Sequence, residues 1–135
     1  MVFPLDEIGT KAVVWIVDSQ QWPRAYLRAL LLERGFDAIG FMELAHALAA
    51  LNALHYPKPH LIVLELHAIS PTEEERNTLT RLHIPMVALA GAVELGEEWI
   101  KEVQWAALIQ RPITIGQVVD VIEKLTAGSK KEEST

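Results

Sequence analysis

The sequence predicts one α/β domain, a doubly wound parallel sheet of five strands with helices on both faces in three layers. Three observations carry this expectation. Short β-branched runs alternate with longer, helically spaced ones along the chain. The short runs are apolar almost throughout, as strands covered on both faces are. The chain has 135 residues, 50% of them hydrophobic and 22% charged, which suits one core and is too little for two.

The first strand is Ala12–Val17, closed by Asp18. Pro23 then sits where a helix can begin, and Tyr26, Leu27, Leu30 and Leu31 recur at helical spacing until Gly35, so the first helix spans Trp22 to about Arg34. A short strand at Ala38–Phe41 precedes a second helix marked by Leu44, Ala47, Leu48, Leu51 and Leu54 and closed by Pro57 and Pro59. Leu61–Leu66 is the third strand, apolar except for Glu65.

Ser70-Pro71-Thr72-Glu73 has the spacing of a capping box, with Ser70 as N-cap and Pro71 in the first turn, opening a third helix through about Leu82. Ile84–Ala90 is the fourth strand, Val93–Val103 a short irregular fourth helix, and Ala106–Gln110 the fifth strand. Thr114-Ile115-Gly116-Gln117 is a second capping-box pattern, and Ile115, Val118, Val119, Ile122 and Leu125 give the last helix its buried stripe as far as Ala127-Gly128. The expected layout is an N-terminal extension over 1–11, the domain over 12–127, and a flexible tail or linker over 128–135, which is polar and charge-mixed. No internal repeat is present.

Composition excludes several classes of function. With 12 Lys and Arg against 18 Asp and Glu, the net charge of −6 disfavours direct nucleic-acid binding. The absence of cysteine removes disulfides, thiolate metal sites and cysteine nucleophiles. No apolar run approaches the roughly 18 residues of a membrane span, and the first residues lack a signal-peptide pattern. A cytoplasmic domain is expected. His46, His55, His60, His67 and His83 lack metal-ligand spacing, Gly91 and Gly96 do not form a phosphate-cradling motif, and no Gly-x-Ser-x-Gly turn supports a hydrolase around Ser19.

Five such units fit the flavodoxin-like strand order 2-1-3-4-5, in which ligands sit beyond the carboxyl ends of strands one and three. Asp18 and Glu65 both fall there. From Lys11 to Leu125 the order of features resembles the receiver domain of two-component response regulators, the CheY-like fold. Val14–Ser19 is similar to the first strand with its acidic pair, and His60–Leu66 to the strand that carries the phosphoacceptor. Pro85–Ala90 is similar to the strand that ends at the switch hydroxyl, and Ala107–Ile113 to the lysine-proline signature.

The resemblance also implies which groups are altered. Glu65 stands where receivers carry the acceptor aspartate, one methylene longer. Asp18 matches the acidic pair, but Ser19 fills its second position, so a hard cation loses a charged oxygen ligand. The remaining family ligand is a backbone carbonyl, here that of His67. Ala90 lacks the switch hydroxyl, Leu108 replaces the switch aromatic, and Arg111 replaces the lysine with a planar fork. An Arg111–Glu65 ion pair is expected, and no cofactor; magnesium at Asp18, Glu65 and the His67 carbonyl is a residual alternative.

The pattern thus implies a degenerate, pseudo-receiver phosphorelay module that is not an enzyme, is not phosphorylated, and acts by binding a protein partner or a second copy. The expected face comprises the fourth helix, fifth strand and fifth helix, with Trp99 and Trp105 as candidate contacts. Each tryptophan fits equally well as an edge of the core, while Trp15 is core and Trp22 is placed over the Asp18 and Glu65 site. Two alternatives stand beside this: a working receiver with an unusual acceptor, and a flavin or small-molecule binder on the same scaffold.

Overall fold

The computed structural model describes residues 11–67 and 69–134, from 128 onward by backbone alone. The expected extension over 1–11 lies outside the described residues except for Lys11. Strands β1 (Val13–Val17), β2 (Asp37–Phe41), β3 (Leu61–Glu65), β4 (Met86–Ala90) and β5 (Ala107–Gln110) pair in parallel in the order β2-β1-β3-β4-β5. This is the doubly wound order that the alternation of the sequence predicts. β1, β3 and β4 are buried at every position, which is why their sequences have no polar face.

Successive side chains of these strands feed two separate cores. Val14, Ile16, Leu61, Val63, Val87 and Leu89 face α1 (Gln21–Glu33) and α6 (Ile115–Ser134), meeting Leu27, Leu31, Val118, Val119 and Ile122. Trp15, Val17, Ile62, Leu64, Met86 and Ala88 face α2 (Leu44–Ala50), α3 (Glu73–Arg81) and α5 (Glu98–Glu102), meeting Ala47, Leu79 and Ile100. Trp15 is fully buried, as expected, and its indole N–H donates to the Pro57 carbonyl at 3.2 Å. The remaining helix, α4 (Ala92–Leu95), is a single turn after β4.

Local chemistry sets the boundaries. Gly35, at φ +91°, takes the left-handed position after α1, and the amides of Phe36 and Gly35 return to the carbonyls of Leu31 and Leu32. The second expected capping box is present: Thr114 Oγ1 accepts the Gln117 amide at 3.1 Å, and Gln117 Oε1 accepts the Thr114 amide at 2.9 Å.

Several boundaries differ from the expected ones. The cap of α3 is Thr72 with Glu75, two residues later than Ser70 with Glu73. Both registers satisfy the motif, but the later one places Glu73, Glu74 and Glu75 together in the first turn, where the helix dipole favours carboxylates. α2 tightens into turns after Ala50, with Asn52 and Ala53 donating to Ala49 and Ala50, so Leu54 is fully solvated and not part of a buried stripe.

The fourth helix is two short pieces, and α6 continues past Gly128 to Ser134. Leu125 is partly exposed; the buried position on that turn belongs to Thr126, whose hydroxyl donates to the Ile122 carbonyl at 2.9 Å. No helix among the described residues is long and apolar enough to cross a membrane.

Candidate functional site at the carboxyl ends of the strands

The register aligns Val17 with Leu64, Glu65 with Leu89, and Ala90 with Gln110, so Asp18, Glu65, Ala90 and Arg111 meet at one edge of the sheet. Asp18 continues the β1 ladder, its amide donating to the Phe41 carbonyl at 3.0 Å. Its Oδ1 accepts the Gln20 amide at 2.9 Å, a local turn that fixes the carboxylate. Its carbonyl accepts Arg24 Nη1 at 2.8 Å.

Glu65, the last residue of β3, is 5% exposed. Its Oε2 accepts the His67 amide at 2.9 Å, and its Oε1 meets Arg111 Nη2 in the ion pair the sequence leads one to expect. Arg111 is carried there by β5, since its amide donates to the Ala90 carbonyl at 2.8 Å. The following Arg111–Pro112 bond is cis. Its side chain is 42% exposed, so the pair joins a buried anion to a half-solvated cation.

These groups wall a cleft of ≈ 310 Å³, with Ser19 and His67 also lining it. Ala90 is fully buried, does not line the cleft, and its methyl side chain offers no donor. Leu108 lies on β5 opposite Ala88, away from the cleft and 43% exposed. Trp99 and Trp105 are also elsewhere, half-buried against the α5 side of the core with ring centroids 6.2 Å apart. Their indole N–H groups are satisfied internally, by Glu97 Oε2 and the Ile100 carbonyl at 2.9 Å each. Trp22 does not cover the site: it is 81% exposed, and its neighbour Pro23 lines the cleft instead.

One wall was not foreseen. Glu94 folds back over the start of α4, where Oε1 accepts the Gly91 amide at 2.7 Å and Oε2 lies 3.8 Å from His67 Nδ1. Gly91 permits this closeness, since a Cβ there would stand 2.9 Å from Glu94 Oε1. The Gly91-x-x-Glu94 spacing is the readable signal, a helix-start glutamate three residues after its cap position. Among the described residues, no three His, Cys, Asp or Glu side chains converge closely enough to hold a metal.

No family model and no curated protein matches this chain. Solved structures do. A response regulator from Desulfuromonas acetoxidans superposes with TM-score 0.66 at 24% identity over 86% of this chain and 97% of its own. A response regulator receiver protein from Pseudomonas putida gives 0.69 at 18% over 85% and 98%. The N-terminal domain of a response regulator/sensory box/GGDEF protein from Carboxydothermus hydrogenoformans gives 0.71 at 14% over 89% and 98%.

The chain has the receiver fold. In this receiver-like domain Asp18, Glu65 and Arg111 come together at the position the sequence assigns them, with Ser19 on the exposed rim. Ala90 carries a methyl and Leu108 an aliphatic side chain at the two positions that the sequence resemblance marks for a switch hydroxyl and a switch aromatic.

Proposed function

We propose that this domain is a phosphate-independent interaction module on a receiver scaffold, working in two-component-type signalling without accepting a phosphoryl group. The observation that carries the reading is the Arg111–Glu65 pair: the guanidinium occupies one oxygen of the carboxylate that would attack phosphorus, and the His67 amide occupies the other. A carboxylate whose charge is already held by a guanidinium and an amide is a weaker nucleophile, because attack on phosphorus has to give up part of that stabilisation. Ala90 adds no hydroxyl to orient an incoming phosphoryl oxygen.

The donor set does not fit magnesium. A hard cation asks for about six oxygens, several of them charged. Here Arg111 places its own positive charge on Glu65, and Ser19 brings a neutral hydroxyl where a carboxylate is needed. The domain is accordingly not an enzyme on this reading. Its binding face is the one formed by α4, α5, β5 and α6, which includes the part-exposed Leu108 and the half-buried Trp99–Trp105 pair. The occupant is a protein partner or a second copy of the domain, in the cytoplasm.

The test is intact mass after incubation with acetyl phosphate and magnesium, for wild type, Asp18→Ala and Glu65→Ala. Light scattering after size exclusion is run on the same samples. No adduct on wild type, with an unchanged oligomeric state, is expected. A phosphoryl adduct lost in either variant returns the domain to the working receivers and ends the proposal.

A further inference from the structure

Arg111 neutralises one of the three carboxylates that wall the cleft, and two remain. Asp18 is 6% exposed; Gln20 satisfies its Oδ1, and Oδ2 has no protein partner among the described residues. Glu94, with a side chain 16% exposed, spends Oε1 on the Gly91 amide, and its Oε2 is beyond hydrogen-bond distance of His67 Nδ1 at 3.8 Å. The other nearby cation, Arg24, is directed elsewhere: its head donates to the Asp18 carbonyl, its stem runs over Gly40, and it does not line the cleft. Two largely desolvated carboxylates therefore face one cavity with neutral donors as their only hydrogen-bond partners.

We propose that this cleft receives an alkylammonium or guanidinium group, held between Asp18 and Glu94. The proposal rests on the phosphate-independent reading above and names the chemistry of the partner. A buried carboxylate without a counter-charge is costly, and a cation is the group whose arrival relieves it. A phosphoryl anion is repelled by the same two walls.

An organic cation differs from a metal in what it demands. Its charge is diffuse, it needs no closed shell of oxygen ligands, and it keeps part of its hydration. Asp18 Oδ2, Glu94 Oε2 and the Ser19 hydroxyl are acceptors for its donors, and Pro23 gives its methylene stem an apolar wall. The ≈ 310 Å³ of the cleft leaves room for the stem as well as the head. The same group is supplied by a lysine or arginine of a partner protein or by a free amine.

The experiment is amide NMR on the full chain, titrated with n-butylammonium chloride and with an end-blocked lysine tripeptide, against sodium chloride at equal ionic strength. The amides of Gln20, His67 and Gly91 should shift and saturate with the amines and not with sodium. Asp18→Asn and Glu94→Gln should each weaken binding tenfold or more, with dispersed spectra confirming the fold. Glu123→Gln, whose carboxylate pairs with Arg34 on another surface, should leave affinity unchanged.

Tighter binding of the peptide assigns the site to a protein partner, and tighter binding of the free amine assigns it to a small molecule. Equal shifts with sodium, or undiminished affinity in both wall variants, overturn the proposal. The acetyl phosphate measurement on the same sample separates the two ideas. An adduct removes the parent reading, whereas no adduct and no amine saturation remove only this inference.

Discussion

Replacing Arg111 by alanine should cost this domain about 2 kcal/mol, and the asymmetry with its partner's replacement is the sharper expectation. Two unit charges about 4 Å apart attract by about 4 kcal/mol at an effective dielectric of about 20. Exposed pairs keep about 0–1 kcal/mol of this, while stripping one partner from a buried pair costs about 3–5 kcal/mol. This pair lies between, because the Glu65 side chain is 6% exposed and that of Arg111 is 42% exposed. Arg111→Ala leaves a buried carboxylate with the His67 amide and incoming water, hence the intermediate figure.

Glu65→Gln instead leaves a guanidinium that water can reach, and the amide oxygen can still accept from His67, so its cost should be about 0.5–1 kcal/mol. Urea denaturation reads both through the midpoint, at unchanged slope. For a domain of this size the alanine variant should also melt about 6–8 °C lower. Equal costs for the two variants, or a cost below about 0.5 kcal/mol for Arg111→Ala, would refute the argument that Glu65 depends on the pair.

Other expectations follow from single contacts. His60 Nδ1 accepts the Val13 amide at 2.9 Å, so His60→Ala should lower stability by about 1 kcal/mol in the same denaturation assay, whereas His60→Asn, which restores an acceptor, should recover part of it. Thr72→Ala and Thr114→Ala each remove a cap and should cost about 1 kcal/mol; because they serve α3 and α6 separately, the double variant should show the sum within about 0.5 kcal/mol. Gly91→Ala keeps an extended backbone at φ −86° but displaces Glu94, so it should weaken ammonium binding in the NMR titration about tenfold with little change in the urea midpoint.

The sheet was legible because a strand covered by helices on both faces has to be apolar on both, and the strict alternation of such runs with amphipathic helices is the pattern of a doubly wound fold. The Arg111–Glu65 pair was legible through the resemblance to receivers, which implies a carboxylate at the end of β3 and a cation after β5, and the sheet brings both to its carboxyl edge. Where the sequence offered two equivalent motifs it could not choose: Ser70 to Glu73 and Thr72 to Glu75 have the same spacing, and the choice rests on first-turn charge and chain entry. Leu54 and Leu125 carry the right period for burial and yet reach past the ends of the surfaces that could cover them. Glu94 escaped notice although Gly91-x-x-Glu94 has the spacing of a helix start, because glycine offers no capping side chain and the helix it opens is a single turn without a periodic apolar signal.

The altered positions are not independent losses on the proposed reading. Once Glu65 is held by Arg111, a hydroxyl at position 90 has no phosphoryl oxygen to follow, and an aromatic at position 108 has no hydroxyl to follow in turn. Removing the first element leaves the others with nothing to report, so Ala90 can pack as core and Leu108 can present apolar surface to a partner. A device with two states needs a ligand that favours one of them, and differential contacts through which to do so. The pair at Glu65 and the silent positions at 90 and 108 supply neither, which is why a fixed binding face, with recognition at the acidic cleft, accounts for the replacements better than a switch does.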